Sequence, residues 1–169
     1  YLTTYVQSGV TATITLLTGF IMEEQLILNK GVDLSWITIV SIDAVVNIRR
    51  TLLTINVPMY IPNTLPVGLA RYPAFSASNG SKLPLIGALF QMYNVGGDPA
   101  PVANSHFYGL TLDGHSYGKI APLCGFRGDG TSVRFTAGAW AMNGSTLVAD
   151  GKDASNRVDL TWNAVGLQV

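Results

Sequence analysis

The chain has 169 residues, enough for one ordinary domain and for a core that needs no metal ion or disulfide. Ten basic and ten acidic side chains cancel, and charged residues make up only 12% of the sequence, so composition gives no support to a nucleic-acid groove or a polybasic membrane patch. The single cysteine, Cys124, excludes an internal disulfide framework and a cysteine-based zinc cluster. A hydrophobic content of 48%, with 18 glycines and 8 prolines, indicates a globular, all-β chain.

The N-terminal half carries repeated strand signals. In residues 10–16 apolar side chains alternate with threonines, which is the pattern of a strand with one buried and one solvated face. Residues 36–42 and 51–57 are rich in β-branched side chains and predict two further strands. Between the first two strands lie a short apolar run at residues 26–28 and a turn at residues 29–31.

The spacing of similar residues favours a repeating architecture. Ile14 and Ile37 are 23 positions apart, and so are Leu16 and Ile39. A repeat of this length that contains short strands and turns predicts one coil of a parallel β-solenoid. A β-sandwich is the alternative, because its closely spaced short strands have much the same local pattern.

The middle of the chain is interrupted by Pro58, Pro62, Pro66 and Pro73. Proline cannot sit in a central strand, so these residues predict a loop, an excursion or a domain boundary. A strand-like run follows at residues 83–92. No segment is long and apolar enough to suggest a membrane span, so we expect no membrane insertion.

The C-terminal part is punctuated by glycines. Asn143-Gly144 separates the apolar runs 139–142 and 146–149, which is the signature of a type I′ hairpin. It predicts an antiparallel β meander at the C-terminal end, and further solenoid coils are the alternative.

These patterns predict one β domain over residues 1–169. It can be subdivided into β-helix coils at residues 1–57, a loop-rich connection at 58–106 and Gly-rich short strands at 107–169.

Residues that could carry chemistry are few. Glu23 and Glu24, the only glutamates, are the candidates for catalytic carboxylates, since glycoside cleavage needs two carboxyl groups about 5–10 Å apart. Neighbouring side chains on a strand point to opposite faces, so an ordinary solvated turn is the preferred interpretation of this pair. His106 and His115 lack metal-ligand spacing, and no nucleotide-binding motif is present. We therefore expect no metal site and no cofactor.

Aromatic side chains are the better candidates for ligand contact, because tyrosine and tryptophan offer a flat apolar face with a polar handle. Tyr93, Tyr108 and Tyr117 stand in loop-like polar surroundings and are predicted to be exposed ligand-binding residues. Trp36 lies in a β-branched run and is predicted to belong to the core.

Residues 11–43, TATITLLTGFIMEEQLILNKGVDLSWITIVSID, resemble the opening coils of bacteriophage tailspike and tail-fibre proteins of the parallel β-helix type. The resemblance rests on an alternating strand, a small Gly turn, a Glu-Gln-apolar segment and the run D-L-S-x-I-x-I. It implies a right-handed parallel β-helix, a homotrimer and recognition of bacterial surface polysaccharide. Many members of this family also cleave the glycan.

The resemblance makes a phage tail component that binds host surface polysaccharide the leading function. The alternatives are a polysaccharide depolymerase on the same scaffold, acting as a glycoside hydrolase or lyase, and a structural virion or cell-surface protein without a ligand. We expect other virion tail proteins as partners, an extracellular place on the virion tail, and a longer polypeptide of which this chain is a fragment. Low charge and high hydrophobicity independently favour association, although the number three comes from the family alone.

Overall fold

The computed structural model of the chain describes residues 10–49, 70–93, 105–129, 135–150, 157–161, 163 and 165–168. These residues contain fourteen strands and no helix, which confirms the prediction of an all-β chain. The predicted strand at residues 51–57 lies outside the described residues. The strands, in chain order, are β1 (Ala12–Leu16), β2 (Ile21–Met22), β3 (Leu26–Leu28), β4 (Ile37–Ser41), β5 (Val46–Arg49), β6 (Ala70–Ala77), β7 (Lys82–Gly87), β8 (Leu89–Tyr93), β9 (Ser105–Leu112), β10 (Tyr117–Ile120), β11 (Gly125–Arg127), β12 (Ala137–Ala141), β13 (Thr146–Ala149) and β14 (Val165–Gln168).

The strands form three parallel sheets. The first sheet has the order β1-β4-β7-β10-β13, the second β2-β5-β8-β11 and the third β3-β6-β9-β12-β14. From β1 to β13 the chain visits the first, second and third sheets in turn, so each circuit adds one strand to every sheet. All pairings among the described strands are parallel, which argues against the alternative β-sandwich, a fold built from antiparallel sheets.

The predicted 23-residue coil is wrong. Strand β1 pairs with β4 so that Ala12 faces Ile37 and Ile14 faces Ile39, an offset of 25 residues. The two spacings differ by two, and a shift of two residues keeps every side chain on the same face of a strand. The hydrophobic pattern therefore matches both registers, and the structure adopts the longer one.

The circuits differ in length mainly where the chain passes from the second sheet to the third. Residues 50–69 connect β5 to β6, residues 94–104 connect β8 to β9, and residues 128–136 connect β11 to β12. The passages from the third sheet to the first take four residues at 78–81, 113–116 and 142–145, and eight at 29–36. The predicted loop-rich connection at 58–106 thus contains β6, β7 and β8, which extend the same three sheets.

Pro73 lies inside β6, so the prediction that it stands outside a central strand is wrong. Its partner on β9 is Tyr108, whereas β3 begins to pair with β6 only at Phe75. On the β3 side the Pro73 carbonyl instead accepts a hydrogen bond of 2.6 Å from Nε2 of Gln25. The strand tolerates proline here because no described ladder bond needs its missing N–H.

The predicted antiparallel meander at the C-terminal end is also wrong. Asn143 and Gly144 have φ values of 52° and 73°, as a type I′ turn requires, but the strands on either side do not pair with each other. Strand β12 belongs to the third sheet and β13 to the first, where it pairs with β10 in parallel. Lys30-Gly31 and Asn79-Gly80 make the same left-handed pair at the same corner of earlier circuits, so this turn closes a circuit rather than a hairpin.

The core is a column of phenylalanines between the sheets. Phe90 and Phe126 are register partners in the second sheet and stack with their ring centroids 5.5 Å apart and their planes 15° apart. Phe75 from the third sheet meets Phe90 edge-on at 5.0 Å, and Phe135 meets Phe126 edge-on at 6.2 Å. Gly109 leaves room for this column, because a Cβ at that position would overlap the ring of Phe126.

Replacing Phe126 with alanine tests the importance of the column. Phe126 is fully buried, so Phe126→Ala is expected to lower the free energy of unfolding by about 3–5 kcal/mol. The matched control is Ile27→Ala, which truncates a 45% exposed side chain on β3 and should cost only about 0.5 kcal/mol. Denaturant unfolding of both variants measures the difference, and equal losses would contradict a central role for the column.

Candidate functional site

A groove of about 430 Å³ lies on the outer face of the first sheet. The inward side chains of these strands, such as Ile37 and Ile120, belong to the core, while the alternate outward positions line the groove. It spans β1, β4, β7 and β10, and three steps of ~4.8 Å give it a length of about 14 Å. Its lining residues are Thr11, Ser35, Trp36, Thr38, Lys82, Leu83, Leu85, Tyr117 and Lys119.

Strand register brings distant residues together in this groove. A row across the strands contains Asp33, Lys82 and Tyr117, since Asp33 forms a bridge with Lys82 and Lys82 is paired with Tyr117. A second row contains Thr38, Leu85 and Lys119 by the same pairings. Parallel pairing therefore assembles the site from four successive circuits.

Trp36 is held in a fixed orientation at the edge of the groove. Four residues separate Asp33 from Thr38, but only two separate their partners Lys82 and Leu85, so the chain bulges here. The half-buried indole packs against the core, and its Nε1–H donates a hydrogen bond of 3.1 Å to the carbonyl oxygen of Asp33. Trp36 therefore packs against the core but is not buried in it, and the same ring lines the groove. The prediction that it belongs to the core is met only in part.

The two lysines of the groove are both paired with aspartates. Nζ of Lys82 lies 2.7 Å from Oδ2 of Asp33, and Nζ of Lys119 lies 3.2 Å from Oδ2 of Asp150. The other carboxylate oxygen of Asp33 accepts hydrogen bonds from the backbone N–H and the hydroxyl of Ser35, at 2.9 and 2.6 Å. Both oxygens of Asp33 are therefore engaged.

These contacts shift the pKa values of both Asp33 and Lys82. Partial burial raises the pKa of the Asp33 carboxyl, but the hydrogen bonds from Lys82 and Ser35 outweigh it and hold this pKa below its ordinary value. The hydrogen bond and the charge of Asp33 raise the pKa of Lys82. Both groups thus remain charged over the neutral range.

Of the three predicted tyrosines, only Tyr117 is seen in the groove. Tyr108 is 4% exposed and stacks on Trp140 at 5.3 Å in a second apolar cluster on the third sheet, so the prediction that it is exposed is wrong. It follows the polar stretch before β9 in the sequence, but pairing with β12 buries it. Tyr93 ends β8, and its side chain lies outside the described residues.

Glu23 and Glu24 do not reach the groove. Both are exposed in the turn between β2 and β3, and Oε1 of Glu23 lies 3.5 Å from Nη1 of Arg49. The solvated turn is confirmed. They line a separate apolar pocket of about 440 Å³, which lies at the first circuit, beside β1, β2 and β3.

The groove contains residues that sequence analysis missed. Lys82 and Lys119 were not candidates, yet a local signal points to them. Asp33, Lys82, Tyr117 and Thr146 each stand three positions after the first residue of a turn with two positive φ values, and Lys119 follows Tyr117 at the next outward position. When the four turns are aligned in the sequence, these residues fall at the same position, which is the row across the strands of the first sheet.

Other reactive groups are sparse in the described part of the chain. No cluster of three or more histidine, cysteine, aspartate or glutamate side chains there could hold a metal ion. Cys124 is half-buried against the core, and this burial raises the pKa of its thiol.

In comparisons with known proteins, no family model, curated protein or solved structure matched the chain. Within the residues that the structure describes, no helix is long and apolar enough to cross a membrane.

The pH dependence of the free energy of unfolding tests the contribution of the ion pair between Asp33 and Lys82. Because the folded pKa of Asp33 is lowered, its contribution is present above the unfolded pKa and is lost as pH falls through the folded value, below about pH 4. Asp33→Asn should therefore lose less stability than the unmodified protein between about pH 6 and about pH 3. Both side chains are more than one-third exposed, so the difference should stay below about 1 kcal/mol.

Denaturant midpoints at the two pH values measure this difference. Lys82→Met removes the partner and should flatten the pH dependence in the same direction. An unchanged pH dependence in both variants would contradict the assigned role of the pair.

Proposed function

We propose that this protein is a component of a phage tail spike or tail fibre that binds a polysaccharide on the surface of the host bacterium. The observation that carries the proposal is the groove on the first sheet, where Trp36 and Tyr117 lie among hydroxyl groups and lysines. A pyranose ring has an apolar face that packs on aromatic and aliphatic side chains and a rim of hydroxyl groups that seek hydrogen bonds. A shallow groove across strands accommodates a chain of such rings.

We also propose that the three sheets are the faces of a right-handed parallel β-helix. Support comes from the order in which the chain visits the sheets and from the parallel pairing one circuit apart. Parallel crossover connections are right-handed in about 98% of cases. A place on the virion tail, outside the host cell, and contacts with other tail proteins are proposed from the sequence resemblance.

Loss of the aromatic contacts tests the binding function. Trp36→Ala and Tyr117→Ala are each expected to weaken binding to host surface polysaccharide by tenfold or more, a loss of at least about 1.4 kcal/mol. Surface plasmon resonance against purified polysaccharides measures the dissociation constants. Tyr117→Phe, which keeps the ring, should retain most of the affinity.

Thr15→Ala is the control, because Thr15 is exposed on the same sheet outside the groove. Circular dichroism spectra that match the unmodified protein establish that the variants are folded. Undiminished binding by folded Trp36→Ala and Tyr117→Ala would contradict a role for the groove.

We propose, in addition, that the protein forms a homotrimer. An apolar stripe runs along the corner between the first and second sheets and consists of Leu17, Ile42 and Leu123, which are 67, 61 and 57% exposed. Register of Leu16 with Ser41 makes Leu17 and Ile42 neighbours, and Leu123 stands at the same corner two circuits later, beyond Ala88, which is buried in the intervening circuit. A stripe parallel to the stack of strands can meet the same stripe of other copies around a cyclic axis. The number three comes from the sequence resemblance.

Charges placed in the stripe test the trimer. The unmodified protein is expected to sediment as a trimer, and the double variant Leu17→Lys with Ile42→Lys as a monomer, because association would bury two ammonium groups. Leu167→Lys changes a similarly exposed leucine on β14 and should leave the trimer intact. A monomeric unmodified protein would contradict the proposal, and a dimer would retain the interface but not the number.

A further inference from the structure

We infer that the groove on the first sheet selects neutral, hydroxyl-rich polysaccharides over acidic ones. This inference rests on the proposed binding function and specifies the class of glycan. It starts from the charge pairing in the groove, which leaves neither lysine with an unbalanced positive charge.

The first argument is electrostatic. Lys82 and Lys119 would attract a uronic acid carboxylate, but each has an aspartate of the same chain within 2.7 or 3.2 Å. Ser35 holds the carboxylate of Asp33, and the backbone N–H of Asp150 donates a hydrogen bond to the carbonyl of Ile120, so a ligand carboxylate would have to displace these aspartates or lie beside them. Either event costs free energy, through a broken ion pair or through repulsion between like charges.

The second argument concerns hydrogen bonds. An ammonium group has three N–H donors, and one contact with Asp33 leaves donors on Lys82 for neutral oxygen acceptors. Thr38 and Tyr117 contribute hydroxyl groups, each of which can both donate and accept. A sugar hydroxyl has the same dual capacity, so a neutral glycan satisfies these groups without disturbing the ion pairs.

The third argument is the shape of the apolar surface. The indole of Trp36 is oriented by its hydrogen bond to the carbonyl of Asp33, and Leu85 lies on the next strand in the second row. Side chains ordered before binding lose little conformational entropy when a ring packs on them. The site therefore offers an apolar platform that is oriented before binding and lies beside two ion pairs.

The experiment measures binding of the unmodified full chain to a panel of purified bacterial surface polysaccharides, some neutral and some rich in uronic acid. The expected result is binding to neutral members, with dissociation constants that change less than about twofold between about 0.05 and about 0.5 M NaCl. Folded Trp36→Ala should lose this binding.

Asp33→Asn supplies a second readout. It leaves Lys82 without its counter-charge, so this variant should gain affinity for the uronic acid polymers, and salt should weaken that gain. If the unmodified protein binds only acidic polymers, in a salt-sensitive way, the inference on glycan class is overturned while the proposed binding function stands. If the folded protein binds no member of the panel, the proposed function itself is overturned.

Discussion

Parallel pairing between strands one circuit apart is the interaction on which the rest of the structure depends. It places equivalent residues of successive circuits in columns about 4.8 Å apart, and the column of Phe90 on Phe126 fills the interior. The corners follow the same rule. Nδ2 of Asn79 donates a hydrogen bond of 2.7 Å to Oδ1 of Asn29, and Nδ2 of Asn143 donates one of 2.6 Å to Oδ1 of Asp113. If the strands of one circuit paired with those of a different circuit, the phenylalanine column and the hydrogen bonds at the corners would both be lost.

The same register builds the candidate site on the outside. Trp36 and Tyr117 are 81 positions apart in the chain, yet they line one groove because their strands belong to one sheet. The largest differences in connection length fall between strands of the second and third sheets, whose residues do not line the groove. Connections there can differ in length without changing which outward side chains become neighbours. On the groove side, the eight-residue passage 29–36 is longer than its four-residue counterparts, and its bulge carries Trp36.

Local patterns in the sequence predicted where strands and turns lie, but they did not predict which strands pair with each other. Alternation in residues 10–16 predicted β1, but the face expected to be buried is exposed at Val10 and Ile14, which are 44 and 37% exposed. Asn143-Gly144 predicted a turn with two positive φ values, which the structure has. The hairpin inferred from that turn was wrong because its strands pair with earlier and later circuits. Tyr108 was misjudged for a related reason, since its burial comes from Trp140 on another strand.

The sequence by itself determined that the chain is all-β, which face of several strands is apolar, and where the left-handed turns lie, because these properties depend on a few neighbouring residues. Tertiary structure alone decided that β1 pairs with β4 at an offset of 25 rather than 23 residues, and that Lys82 meets both Asp33 and Tyr117. Side chains repeat every two residues along a strand, so registers that differ by two look alike in the sequence. Only the packing of one whole circuit on the next distinguishes them.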